Sequence, residues 1–160
     1  MTITIRPYAE ADRAAVVDLI DQLNHHEFAI SGDRETDRAA AELGATELTE
    51  ALAGDRRTVA LVAEIEGEIA GVMVWAAYED HTYVLADLRP HGRIEDIVVA
   101  SSFQRRGVGQ TLLGAAERLT REAGMKRLRL TMLAGNELAE GAYRRFGFRD
   151  YSKTMIKDLD

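Results

Sequence analysis

Apolar and polar residues alternate over Thr2–Arg6, which predicts a strand closed by Pro7. The period then changes. From Glu10 to about His26, Ala14, Val17, Leu19, Ile20 and Leu23 recur at helical spacing with acidic residues early, which predicts a helix. Residues 28–38 are polar and read as a loop, and Ala45–Ala53 reads as a short helix ended by Gly54. Thr58–Ile65 and Glu68–Tyr78 are rich in β-formers and flank Glu66-Gly67, the pattern of a hairpin. A long connection, Glu79–Gly92, precedes a strand over Arg93–Val99. There follow a helix over Gly107–Ala123, an alternating strand over Lys126–Met132, a helix over Asn136–Phe146 and a final strand over Phe148–Ile156. Gly124 and Gly147 stop the two helices. The order predicts an α/β fold with hairpins early and a βαβ crossover late. No repeat or Pro/Gly/Ser linker divides the chain, so one domain is expected over residues 1–160.

The most informative stretch joins the Arg93–Val99 strand to the helix after it: Gln104-Arg105-Arg106-Gly107-Val108-Gly109. A glycine turn that opens a helix holds phosphate well. Its N–H groups point outward, no Cβ blocks approach, and the helix end adds partial positive charge. Arg105 and Arg106 add full charges beside it. A Walker A loop would need Lys-Ser or Lys-Thr after the last glycine, where Gln110 stands here. A dinucleotide fingerprint would need a third glycine and a place after the first strand.

Gln-x-x-Gly-x-Gly after a strand resembles the acyl-CoA pyrophosphate loop of the GCN5-related N-acetyltransferases (GNAT), whose usual form is Arg/Gln-x-x-Gly-x-Gly/Ala. A second match lies downstream in Asn136-Glu137-Leu138-Ala139-Glu140-Gly141-Ala142-Tyr143, continuing to Gly147-Phe148. The opening Ile3…Arg6-Pro7 with its acidic helix start is also similar to that family. The resemblance implies a mixed central sheet, flanked by helices and splayed between the Arg93–Val99 and Lys126–Met132 strands. It also implies acetyl-CoA as co-substrate. Backbone groups of Ile97, Val98 and Val99 would meet the pantetheine arm as an added strand would. Those of Gln104, Arg105, Arg106, Gly107, Val108, Gly109 and Gln110 would meet the pyrophosphate. Asn136, Ala139 and Tyr143 would complete the cofactor contacts.

Acetyl transfer to an amine requires loss of a proton from the amine, a donor for the oxygen that gains charge, and a proton for the departing thiolate. Glu95, in the motif strand, is the candidate base, acting through a water. Strand alternation places Glu95 and Asp96 on opposite faces, so one carboxylate should face the splay and the other should not. The resemblance makes Tyr143 the candidate acid. Leu138, Ala142, Tyr143 and Phe146 would equally form the apolar stripe of a helix. Asn136 suits a helix cap whose amide also reaches the cofactor. The N–H of Val98 or Val99 is the oxyanion donor by resemblance alone. Glu27, Phe28 and Tyr78 are candidates for the acceptor's rim, and Trp75 for the core.

Composition narrows the function further. A net charge of −7 disfavours nucleic acid and suits a cationic substrate. With no cysteine, neither a thiol nucleophile nor a cysteine metal site is available, and transfer by direct attack in a ternary complex is expected. Adjacent His25 and His26 point apart on a helix, and no metal site is expected. No apolar run approaches the about 18 residues of a membrane helix, and the N-terminus alternates rather than forming a leader, so a cytoplasmic protein without a membrane partner is expected. The acceptor is expected to be a small-molecule amine, with a protein lysine or N-terminus as the alternative. A non-catalytic acyl-CoA sensor is the rival of another class. The resemblance also suggests a homodimer.

Overall fold

The structure, a computed structural model, describes residues 1–54 and 56–159. Of the domain expected over 1–160, Asp55 and Asp160 lie outside the described residues. Five strands form one sheet in the order β1-β2-β3-β4-β5: β1 (Thr4–Pro7), β2 (Thr58–Ile65), β3 (Glu68–Glu79), β4 (Pro90–Val99) and β5 (Leu128–Leu130). The first four pair antiparallel, and β5 joins β4 in parallel. The helices are α1 (Arg13–Ser31), α2 (Arg38–Ala53), α3 (Val108–Glu122) and α4 (Glu137–Phe146). The sheet is therefore the mixed one expected, with β4–α3–β5 as its crossover.

Alternation along β2 and β3 feeds two cores. Val62, Val72 and Val74 pack with Val16 and Leu19 of α1 and Leu48 of α2 on one face. Leu61, Met73 and Trp75 pack with Val108, Leu112 and Leu113 of α3 on the other. The β2–β3 turn puts Glu66 and Gly67 at φ 52° and 85°, the two left-handed residues that a tight hairpin requires. Gly92 is fixed by close approach. A Cβ there would stand 2.3 Å from both Trp75 Nε1 and Thr120 Oγ1. Those two atoms make a buried 2.9 Å hydrogen bond across it, the indole donating.

Four expectations need correction. α1 runs on to Ser31 and ends at Gly32 in the left-handed conformation, so the polar loop shrinks to residues 32–37. α2 starts at Arg38, because Asp37 Oδ1 accepts from the Ala40 N–H at 2.8 Å and caps it. The strand expected over Phe148–Ile156 does not form; none of these residues pairs in a ladder. β5 is also shorter than the Lys126–Met132 expected.

The feature that builds a site lies in β4. β5 pairs only with Gly92, Arg93 and Ile94. The next residue, Glu95, is a bulge: Trp75 pairs with Ile94 and Val74 with Asp96, so Glu95 has no partner of its own on β3. From Glu95 to Val99 the edge of β4 facing β5 is open. Ala100 donates to Ala70 O at 2.9 Å, so antiparallel alternation turns the N–H groups of Ile97 and Val99 to the open edge and that of Val98 to β3.

Candidate active site

At the end of the open edge a single helical turn, Ser101–Phe103, leads to the glycine loop. Arg105 (φ 62°) and Gly107 (φ 86°) are both left-handed, and Gly107 is the N-cap of α3. The first amide bonded back to the loop is Thr111, to Gly107 O at 3.0 Å. The N–H groups of Val108, Gly109 and Gln110 thus have no intrahelical acceptor. A Cβ on Gly109 would touch only Val99, at an ordinary 3.7 Å, so the space in front of those amides is open. Arg105 and Arg106 are exposed and make no salt bridge among the described residues; Arg106 lies over the Phe103 ring. Free amides, left-handed loop residues, uncommitted cations and an open strand edge form one continuous track that fits an acyl-CoA.

α4 faces this track. Asn136 Oδ1 accepts from the Ala139 N–H at 3.3 Å and caps the helix, leaving the side-chain NH2 free. His26 Nε2, from the end of α1, lies 3.4 Å from the same oxygen. Gln110 reaches from α3 to the Ala142 carbonyl. Tyr143 packs edge-on to Phe148. Burial, then the negative charge of Glu27, pushes the Tyr143 phenol above its ordinary pKa, so it holds its proton at neutral pH.

On the α1–α2 side of β4 lies a cavity of about 340 Å³. Its apolar walls come from Val16, Ile20 and Leu23 of α1, Leu48 and Ala51 of α2, and Val72, Val74 and Val98 of the sheet. Its polar groups are Glu47, Arg56, Thr58, Tyr78, Glu95 and Asp96. Glu95 and Asp96 both reach it, contrary to the alternation expected, because the bulge resets the face of Glu95. Asp96 is exposed, with the cavity walls around it. Burial, then Glu95, Glu27 and Glu47, raises its carboxyl pKa. Glu95 Oε2 lies 3.6 Å from Arg93 Nε, and its Oε1 is buried without a hydrogen-bond partner. Tyr78 OH accepts from Arg56 at 2.7 Å. The nearby Glu95 carboxylate, reinforced by burial, pushes the Tyr78 phenol up.

The rim candidates divide. Tyr78 lines the cavity. Glu27 continues the α1 stripe Val16–Ile20–Leu23 by one turn, pairs with Arg34 at 2.7 Å, and acts by charge on both Asp96 and Tyr143. Phe28 is off that stripe, exposed, and not in the cavity wall. Two wall residues escaped sequence reasoning. Glu47 had a signal, an acid within the stripe Gly44, Leu48 and Ala51 of α2. Arg56 had none, since it lies in a connection. No cluster of three His, Asp or Glu suited to a metal occurs among the described residues.

A sheet opened at one strand, a cradle of free amides and a carboxylate-lined cavity on the same strand define a class of acyl-group transferase. The family model described as the acetyltransferase (GNAT) family matches residues 18–148, and the chain belongs to that family. It is an acetyltransferase, and acetyl-CoA supplies the acetyl group. An aminoglycoside N(6')-acetyltransferase type 1 of Stenotrophomonas maltophilia is 31% identical over 110 residues, which cover 68% of this chain and 71% of that one. A candidate [ribosomal protein bS18]-alanine N-acetyltransferase of Bacillus subtilis is 28% identical over 90 residues, covering 56% of this chain and 52%, about half, of that one. A crystal structure of an aminoglycoside N-acetyltransferase with CoA superposes with TM-score 0.75 at 19% identity, over 99% of this chain and 95% of that one, and shares the fold. Among the described residues no helix is long and apolar enough to cross a membrane.

Proposed function

We propose that the enzyme acetylates a primary amine of a small cationic molecule held in the cavity between α1, α2 and β4, by direct attack in a ternary complex. The observation that carries this reading is the placement of two carboxylates, Glu95 and Asp96, in one cavity beside the open edge of β4. Glu47 and the nearby charge of Glu27 add to its negative potential, against Arg56 in the wall, Arg93 beside Glu95 and Arg34 beside Glu27. Such a site attracts an ammonium group and must then remove its proton.

Glu95 is the proton acceptor in this reading, through a water. Its Oε1 is buried and unpartnered, so it has an unused acceptor site. Asp96 holds the ammonium in place. The Ile97 and Val99 amides, at the open edge, hold the co-substrate's arm, and the α3 amides hold its diphosphate. Acetyl-CoA supplies an activated carbonyl carbon. The amine nitrogen bonds to that carbon as the carbon–sulfur bond breaks. The ammonium first loses one proton through the water to Glu95; after attack the nitrogen loses a second to solvent, while Tyr143 gives one to sulfur and takes one back from solvent, so that an amide, a thiol and one released proton result.

The Stenotrophomonas relative's name, an aminoglycoside acetyltransferase, agrees with a small polyamine acceptor. The Bacillus relative's name favours a second reading, acetylation of a protein's N-terminal alanine. Thiol release from acetyl-CoA, measured with polyamines, aminoglycosides, amino acids and alanine-initiated peptides, separates the two. Turnover with a small polyamine and none with the peptides is expected. Turnover with peptides alone selects the second reading, and binding of acetyl-CoA without release for any amine selects a sensor.

A further inference from the structure

The two sides of the track belong to different parts of the fold. One side is the open edge of β4 with the turn Ser101–Phe103 that follows it. The other is α4, with Asn136 at its start. Pairing of β4 with β5 ends at Ile94, so no sheet hydrogen bond ties the two sides together beyond that residue. An extended arm that must touch both sides at once needs their separation fixed by something else.

α1 supplies that connection. Gln22 Oε1 accepts from the Ser101 N–H at 3.1 Å, at the end of the open edge. His26 is four residues on, and so on the same face of the helix, with its Nε2 3.4 Å from Asn136 Oδ1. The atom facing His26 is the amide oxygen, because it also accepts from the Ala139 N–H at 3.3 Å. His26 Nε2 must therefore carry a hydrogen and donate it, and it can do so in the neutral and the charged imidazole alike. With two donors on its oxygen, the Asn136 amide keeps its NH2 directed away from both of them. One turn further along α1, Ile30 lies against Gly135, where a Cβ would stand 3.6 Å from Ile30 Cγ2. Among the described residues no other hydrogen bond joins α1 to β4, to the turn after it or to α4.

We propose that Gln22 and His26 are positioning residues: one face of α1 clamps the two sides of the track at the separation that the co-substrate's arm needs, and His26 also fixes the Asn136 amide with its NH2 free for that arm. The role rests on the reading of the track, and of Asn136 in it, as the seat of the arm. The neighbouring stripe of α1, Val16, Ile20 and Leu23, walls the acceptor cavity. One helix thus borders both substrates.

Calorimetry with CoA tests the clamp. Gln22→Met and His26→Leu remove the two bonds and keep most of the bulk, and both side chains are exposed, so both variants should fold and melt as the parent does. Each should bind CoA about 3–10-fold more weakly, the range of one net hydrogen bond. His26→Gln, which keeps an N–H where Nε2 stands, should stay within about twofold of the parent, a rescue that a packing role would not give. Asn136→Ser can still cap α4 but has no amide, so it should weaken CoA itself, and adding His26→Leu to it should cost nothing more. Parent-like affinity in either apolar variant, an equal loss in His26→Gln and His26→Leu, or a full further loss from His26→Leu on Asn136→Ser overturns the clamp. Parent-like affinity in Asn136→Ser overturns it for a different reason, since the arm then does not pass Asn136 and the reading of the track falls first.

Discussion

Glu95 and Asp96 are neighbours in a β-strand, yet both line one cavity, because Glu95 is the unpaired residue of a bulge. The pairing of β4 with β5 ends at Ile94, one residue earlier. The strand thus releases its partner on one side and shifts register on the other at the same point. The first change opens an edge for an extended ligand, and the second gathers two carboxylates where an amine would meet it.

That gathering has a measurable cost. The Asp96 carboxyl titrates above its ordinary pKa, first from burial and then from Glu95, Glu27 and Glu47. A carboxyl with a higher pKa in the folded than in the unfolded chain opposes folding once it must ionise. The penalty is absent well below pH 4 and grows as pH rises from there to the folded-state value. Asp96→Asn should therefore raise the melting temperature at pH 7 and leave it unchanged near pH 3. In Glu95→Gln the Asp96 carboxyl, followed by carbon NMR, should titrate lower than in the parent. An unchanged titration would mean that the two carboxylates do not share the cavity.

Tyr143 tests the other half of the chemistry. Its phenol is kept protonated by burial and by Glu27. Tyr143→Phe should lower kcat by roughly 100-fold or more, the usual scale for one proton donor, with KM for acetyl-CoA changed less than about threefold. A loss confined to KM would assign the ring to cofactor packing alone.

Gly109 separates binding from folding. Since a Cβ there meets only Val99 at 3.7 Å, Gly109→Val should fold while its side chain fills the space before the α3 amides. Calorimetry should show CoA affinity reduced by at least about 100-fold, as expected when a diphosphate loses several charge-assisted bonds. Retained affinity would move the diphosphate elsewhere.

Gly92 tests the fold beneath the site. A Cβ would intrude on the Trp75–Thr120 hydrogen bond from 2.3 Å. Gly92→Ala should cost roughly 2–4 kcal/mol, through overpacking and the loss of a buried partner for the indole N–H. A shift in the urea midpoint at unchanged slope measures it.

Much of this arrangement was legible in the residues. The glycines of the loop, the strand before it and the helix after it follow from local conformational preference, and the structure places them as expected. The Asn136 cap and the Gly147 stop of α4 are local signals too. What stayed hidden depends on distant partners. The bulge at Glu95 is set by pairing with Val74 and Trp75, so strand alternation alone put the two carboxylates on opposite faces. The strand propensity of Phe148–Ile156 meets no ladder partner among the described residues, and propensity alone does not make a strand. The ends of α1 and α2 did have signals, Gly32 and Asp37, but the polar composition between them suggested a longer loop. Arg56 reaches the cavity only because the connection after α2 returns beside Tyr78.

The central claim, that Glu95 takes the proton of an amine seated in the cavity, is tested most directly by the pH dependence of kcat/KM for Glu95→Gln with the best small amine. At pH 7 the variant should be at least about 100-fold slower than the parent, and the gap should close as pH approaches the amine's own pKa, where the substrate no longer needs a base. A deficit that stays constant across that range, or no deficit at all, would contradict it.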